Sequence, residues 1–108
     1  MFYFLDELTV HPGKLQSFLA GYKERYIPGA QARGLTLVGT WVTPPVEVAG
    51  EPCTVVAMWS IPSEQAFWTQ KHTARNDPAV AAWWREAEAD LSRRERRYLN
   101  AASFSPLR

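Results

Sequence analysis

Two strand-like runs, Leu35–Thr43 and Cys53–Ile61, lie close together and are joined by the loop PPVEVAGEP. Both are rich in β-branched and aromatic residues, and each carries a tryptophan, Trp41 and Trp59. Runs so near in the chain most simply pair as an antiparallel hairpin. Pro44, Pro45, Gly50 and Pro52 make the connection an exposed loop without core residues. A lone hairpin is marginal in water, so the remaining chain must supply more strands and a layer to cover them.

The flanking segments supply both. Phe2–Val10 reads as a strand with two alternate sets: Phe2, Phe4, Asp6, Leu8, Val10 and Tyr3, Leu5, Glu7, Thr9. Each set is partly apolar, as in a strand covered on two sides. The turn His11-Pro12-Gly13-Lys14 starts a helix, in which Leu15, Phe18, Leu19, Tyr22 and Tyr26 share one stripe. That helix is expected to kink at Pro28-Gly29 and to end at Ala32 or Arg33, with Gly34 as its cap. After Ile61, Ser63 caps a second helix, which carries Phe67, Trp68, Lys71, His72 and Arg75. Asn76-Asp77-Pro78 breaks it and caps a third, with Val80, Trp83, Trp84, Ala87 and Leu91 as the buried stripe. A last strand is expected at about Arg94–Ala101, and the tail SFSPLR docks on a neighbouring surface.

The order is βαββαβ, with the last helical region interrupted. It predicts an α+β, ferredoxin-like sandwich in one domain, 1–108, with a four-stranded antiparallel sheet and helices on one face. Because the strands carry apolar residues on both faces, the bare face is expected to be covered by the same face of a second copy, a homodimer.

Composition excludes several classes. At 108 residues with 46% apolar content, the chain is long enough for a real core. A net charge of +1 does not fit a dedicated nucleic-acid binder. No apolar run approaches the roughly 20 residues of a membrane span, and MFYFLDELTV lacks the features of a signal peptide. A cytoplasmic protein is the default expectation. The single cysteine, Cys53, reads as a small buried apolar residue in a strand. The arginine cluster Arg93, Arg94, Arg96, Arg97 is interspersed with acids and reads as a solvated charged surface. No CxxC, HExxH, Walker or GxGxxG spacing occurs, so metal and nucleotide signatures are absent and no cofactor is expected. Haem needs no such motif, since one axial histidine can suffice.

Several short motifs, taken in order, resemble the NIPSNAP family of the dimeric α/β-barrel superfamily. They are Tyr3 and Leu5, Pro12-Gly13-Lys14 followed by Leu15 and Phe18, and Gly34 ahead of Val38-Gly39-Thr40-Trp41. Met58-Trp59, Asp77-Pro78 before a tryptophan-bearing helix, and Phe104-Ser105-Pro106 complete the set. The resemblance implies two ferredoxin-like protomers pairing sheet to sheet into a barrel. Relatives in the superfamily include cofactor-free monooxygenases of aromatic polyketides, lactone isomerases, polyketide cyclases and haem-degrading enzymes. Asp6 stands where the family often has arginine, which reverses the local charge.

Two residues are candidates for acid–base chemistry. His72 has an imidazole suited to proton transfer near neutral pH and shares a helix face with Trp68; its alternative is a solvent-facing histidine. Asp6 lies between Phe4 and Leu8 on one strand face; its alternatives are an ion pair with Arg96 or Arg97, or exposure at the sheet edge. Trp41, Trp59 and Trp68, with Tyr22, Tyr26 and Tyr98, are expected to wall a pocket for a small apolar or aromatic ligand. Trp41 and Trp59 serve equally well as dimer core. The functional expectation is cofactor-independent oxygenation, isomerisation or cyclisation, against a non-catalytic binding or accessory protein. A closed interior with His72 in solvent favours the second; Asp6 or His72 at an open pocket favours the first.

Overall fold

The structure, a computed structural model, describes residues 1–107. Its strands are β1 (Phe2–Val10), β2 (Thr36–Thr43), β3 (Cys53–Ile61) and β4 (Leu91–Asn100). They form one antiparallel sheet in the order β2-β3-β1-β4. The helices are α1 (Leu15–Gly21), α2 (Ile27–Ala32), α3 (Glu64–Arg75) and α4 (Pro78–Ala87). The ferredoxin-like sandwich is therefore present, with the expected hairpin of β2 and β3 along one edge.

Alternation decides which side chains meet the helices. Phe4, Asp6, Leu8 and Val10 of β1 lie with Val55, Ala57, Trp59 and Ile61 of β3 on the helix side, and all are buried. Phe18, Tyr22 and Tyr26 from the first helical segment and Trp83, Trp84 and Ala87 from α4 close over them. A wide π-helical turn, Tyr22–Tyr26, joins α1 to α2, with the Ile27 N–H donating to the Tyr22 carbonyl. The irregularity expected at Pro28-Gly29 thus falls one turn earlier. Pro28 has no N–H for the Glu24 carbonyl, and its ring would crowd that carbonyl in a regular helix; the widened turn precedes it. Ser63 caps α3 by accepting from the Ala66 N–H at 3.1 Å, and Asp77 caps α4 by accepting from the Ala79 N–H at 2.9 Å.

Leu91 opens β4 instead of continuing the α4 stripe. The strand begins three residues before the expected Arg94 because β1 offers partners along its whole length, with Val10 opposite Leu91 and a bulge between Thr9 and Val10.

The expected closure of two protomers into a barrel is corrected: the sheet is open, with β2 and β4 as free edges. Two features of its bare face explain the difference. Residues 101–107 fold back beside Tyr3, Met58 and Leu99, so Tyr3 is buried within its own chain. The same face also carries a charged strip, in which Arg97 approaches Glu7 at 3.8 Å and Glu95 at 3.3 Å, and Arg93 meets Glu95 at 2.6 Å. The bare face thus carries charged as well as apolar residues, part of them covered by the chain's own tail. Among the described residues, no helix is long and apolar enough to cross a membrane.

Candidate functional site

The structure divides the candidate site residues among four places. Asp6, Tyr22, Tyr26 and Trp59 meet in the interior between sheet and helices. Register puts Asp6 opposite Arg96 on β4. Arg96 donates from Nε to Asp6 Oδ1 at 2.6 Å and from Nη2 to Asp6 Oδ2 at 2.8 Å, a bidentate pair around a carboxylate that is only 1% exposed. The same Nη2 also donates to Tyr26 Oη at 3.2 Å. Tyr26 stacks on Tyr22 with ring centroids 5.0 Å apart, and Trp59 Nε1 donates to Tyr22 Oη at 3.0 Å.

The electrostatics follow from this packing. Burial opposes the Arg96 charge, yet the hydrogen bonds and negative charge of Asp6 outweigh it and hold the guanidinium above its ordinary pKa. Burial pushes the Tyr22 phenol up, only partly offset by the Trp59 hydrogen bond. Burial lowers the pKa of Arg94, aided by the neighbouring charge of Arg96; its guanidinium lies over the Trp84 ring at 3.5 Å. The polar groups of this cluster are thus largely engaged with one another.

The second place is a groove where the first turns of α3 meet the ends of β1 and β4. Phe2, Glu64, Phe67, Trp68, Tyr98, Leu99 and Asn100 line a cavity of about 290 Å³. Helical spacing builds one wall: Glu64, Phe67 and Trp68 lie at i, i+3 and i+4 of α3, on one face, with Lys71 following at i+7. Tyr98 packs edge-on against Phe67 at 5.1 Å between centroids, and Phe67 meets Phe2 at 6.4 Å. Trp68 remains 60% exposed and Tyr98 44% exposed, so this aromatic surface is open to a small ligand.

The other two candidates stand apart. Trp41 is exposed on the bare face of β2, with its ring packed so closely on Gly39 that a Cβ there would clash with the indole. His72 is exposed on α3, its Nε2 3.2 Å from Asn76 Nδ2. Neither His72 nor Asp6 lines the groove that holds Trp68 and Tyr98.

Two further cavities differ in character. One of about 430 Å³ lies between residues 101–107 and Tyr3, Met58 and Leu99; among the described residues lining it, none is charged. Another, of about 40 Å³, lies between α2 and α4, large enough for a water molecule. Its lining includes Arg33 and Trp83, whose Nε and Nε1 are buried without a hydrogen-bond partner. Among the described residues, no three His, Cys, Asp or Glu side chains gather as a metal-ion ligand set.

Sequence reasoning missed Phe2, Glu64 and Phe67 as parts of the groove, and left the partner of Asp6 open between two arginines. The signal for the groove was there: Glu64, Phe67 and Trp68, with Lys71 one turn on, form a single mixed stripe on a helix that is otherwise polar.

Comparison with known proteins agrees with this architecture. A NIPSNAP domain protein from Burkholderia xenovorans superposes with a TM-score of 0.78 at 22% identity, over 98% of this chain and 99% of that one. A NIPSNAP family protein from Agrobacterium tumefaciens gives a TM-score of 0.70 at 25% identity, over 98% and 99%. No functionally curated protein matches. The NIPSNAP family model matches residues 3–106, nearly the whole chain, and the chain belongs to that family.

Proposed function

We propose that this protein binds a small, flat, largely apolar or aromatic metabolite in the groove of Phe2, Phe67, Trp68 and Tyr98, as a binding or accessory protein. The observation that carries this reading is the exposed aromatic wall around a cavity of about 290 Å³, room for a ligand of one or two rings. A flat ligand entering it covers the Trp68 and Tyr98 rings, which replaces their contact with water by stacking.

Acid–base catalysis requires a titratable group within about 3 Å of the reacting atom. Asp6 has both carboxylate oxygens taken by Arg96 in the interior, and His72 lies on the solvent side of α3. Their positions support binding over proton transfer by either residue.

Titration with 2-naphthamide, followed by the indole N–H resonances of the protein, tests the reading. Saturable binding in the wild type, weakened about tenfold by Trp68→Ala, is the expected result, equivalent to about 1.4 kcal/mol of stacking. An unchanged affinity in Trp68→Ala would remove the groove from the proposal.

A further inference from the structure

We infer that the ligand of this groove is an anion: an aromatic carboxylate, or a phenolate or enolate of the same shape, with its charged end at Lys71. The inference rests on the reading of the groove as a ligand site and adds the class and direction of what enters it.

Lys71 stands one turn beyond Phe67 and Trp68 on the same face of α3. Its ammonium lies 5.4 Å from the Phe67 ring centroid, 5.9 Å from that of Trp68 and 5.6 Å from that of Tyr98. Three rings from two elements therefore converge on one cation and hold it at the end of the aromatic wall. The attraction of ring faces positions the charge without neutralising it. Among the described residues, no carboxylate forms an ion pair with Lys71. An ammonium set beside three rings, without an ion-pair partner among the described residues and next to an exposed stacking surface, is complementary to a flat molecule carrying a negative charge at its rim.

Glu64 gives the groove a direction. It lines the opposite end, seven residues earlier on α3, about 10 Å along the helix axis. Its carboxylate repels an anion and welcomes a hydroxyl or N–H donor, and the Asn100 amide lies at the same groove. The fitting ligand has its acid group at Lys71, its ring over Trp68 and Tyr98, and a neutral or donor end toward Glu64. A cationic ligand finds the place where the three rings meet already filled by Lys71.

Three probes of one shape test this: 2-naphthoate, 2-naphthamide and 2-(aminomethyl)naphthalene, titrated into the full chain. The expected result is 2-naphthoate binding about tenfold more tightly than 2-naphthamide, an advantage that shrinks with added salt. Lys71→Met keeps the apolar stem on the rings and is expected to equalise the two by weakening 2-naphthoate about tenfold. Equal binding of acid and amide in the wild type, or tightest binding of the amine, overturns the inference while the groove stands. If neither acid nor amide binds, or Trp68→Ala leaves both affinities unchanged, the groove itself is overturned, and the ligand class with it.

Discussion

The interior cluster and the α3 groove are both built from aromatic rings around a cation, yet they differ in what is left over. In the interior, Arg96 is matched by Asp6 and Tyr26, and Trp59 by Tyr22, with only the Arg96 side chain reaching partly to solvent. In the groove, Trp68 and Tyr98 keep much of their surface in water and Lys71 lacks an ion-pair partner among the described residues. Aromatic content alone does not mark a binding site. Unspent surface and uncompensated charge do, and by that measure the interior stabilises the fold while the groove has capacity for a ligand.

Mutations should separate the two regions. Asp6→Ala has the largest expected effect, because it leaves the part-buried Arg96 charge without its bidentate partner. Denaturant titration should show a loss of about 3–5 kcal/mol, with most of it recovered when Arg96→Leu is added. Trp59→Phe removes the donor to the Tyr22 hydroxyl inside the core and should cost about 1–3 kcal/mol by the same measurement. Neither change should alter ligand affinity in the fraction that remains folded; a selective loss of affinity would merge the regions.

Tyr22 gives a pH-dependent version of the test. Burial raises its pKa in the folded state, so the folded chain keeps that proton after an unfolded tyrosine, with a pKa of about 10, has lost it. This contribution to stability is complete below pH ~10 and falls as pH rises above that value. Tyr22→Phe should flatten that alkaline decline in denaturant midpoints measured from pH 9 upward. The smallest effect on stability is expected for Trp68→Ala, within about 0.5 kcal/mol, despite its loss of ligand binding.

The sequence made the architecture legible where local chemistry and periodicity agree. Ser63 and Asp77 cap the helices they announce, and the Phe2–Val10 alternation puts Phe4 and Leu8 on one face, which the structure turns inward. The partner of Asp6 was less legible because it lies 90 residues away on a strand where Arg96 and Arg97 point to opposite faces. A one-residue change of register would exchange them, and that register depends on pairing and a bulge that composition does not encode. The groove was hidden for another reason. Trp68 and Tyr98 were both candidates, but only the packing of α3 beside β4 brings them together, while the same folding carries Tyr22, Tyr26 and Trp59 into the closed core. The bare sheet face was misjudged because apolar residues were counted without the charged strip and the returning tail.

The chain's five tryptophans provide the most direct measurement of which region receives a ligand. Each contributes one indole N–H resonance, and single Trp→Phe variants assign them. On addition of 2-naphthoate, the Trp68 signal should shift saturably while that of Trp59 stays fixed at its hydrogen bond to Tyr22. A saturable shift at Trp59 with Trp68 unmoved would place the ligand in the interior and contradict the account.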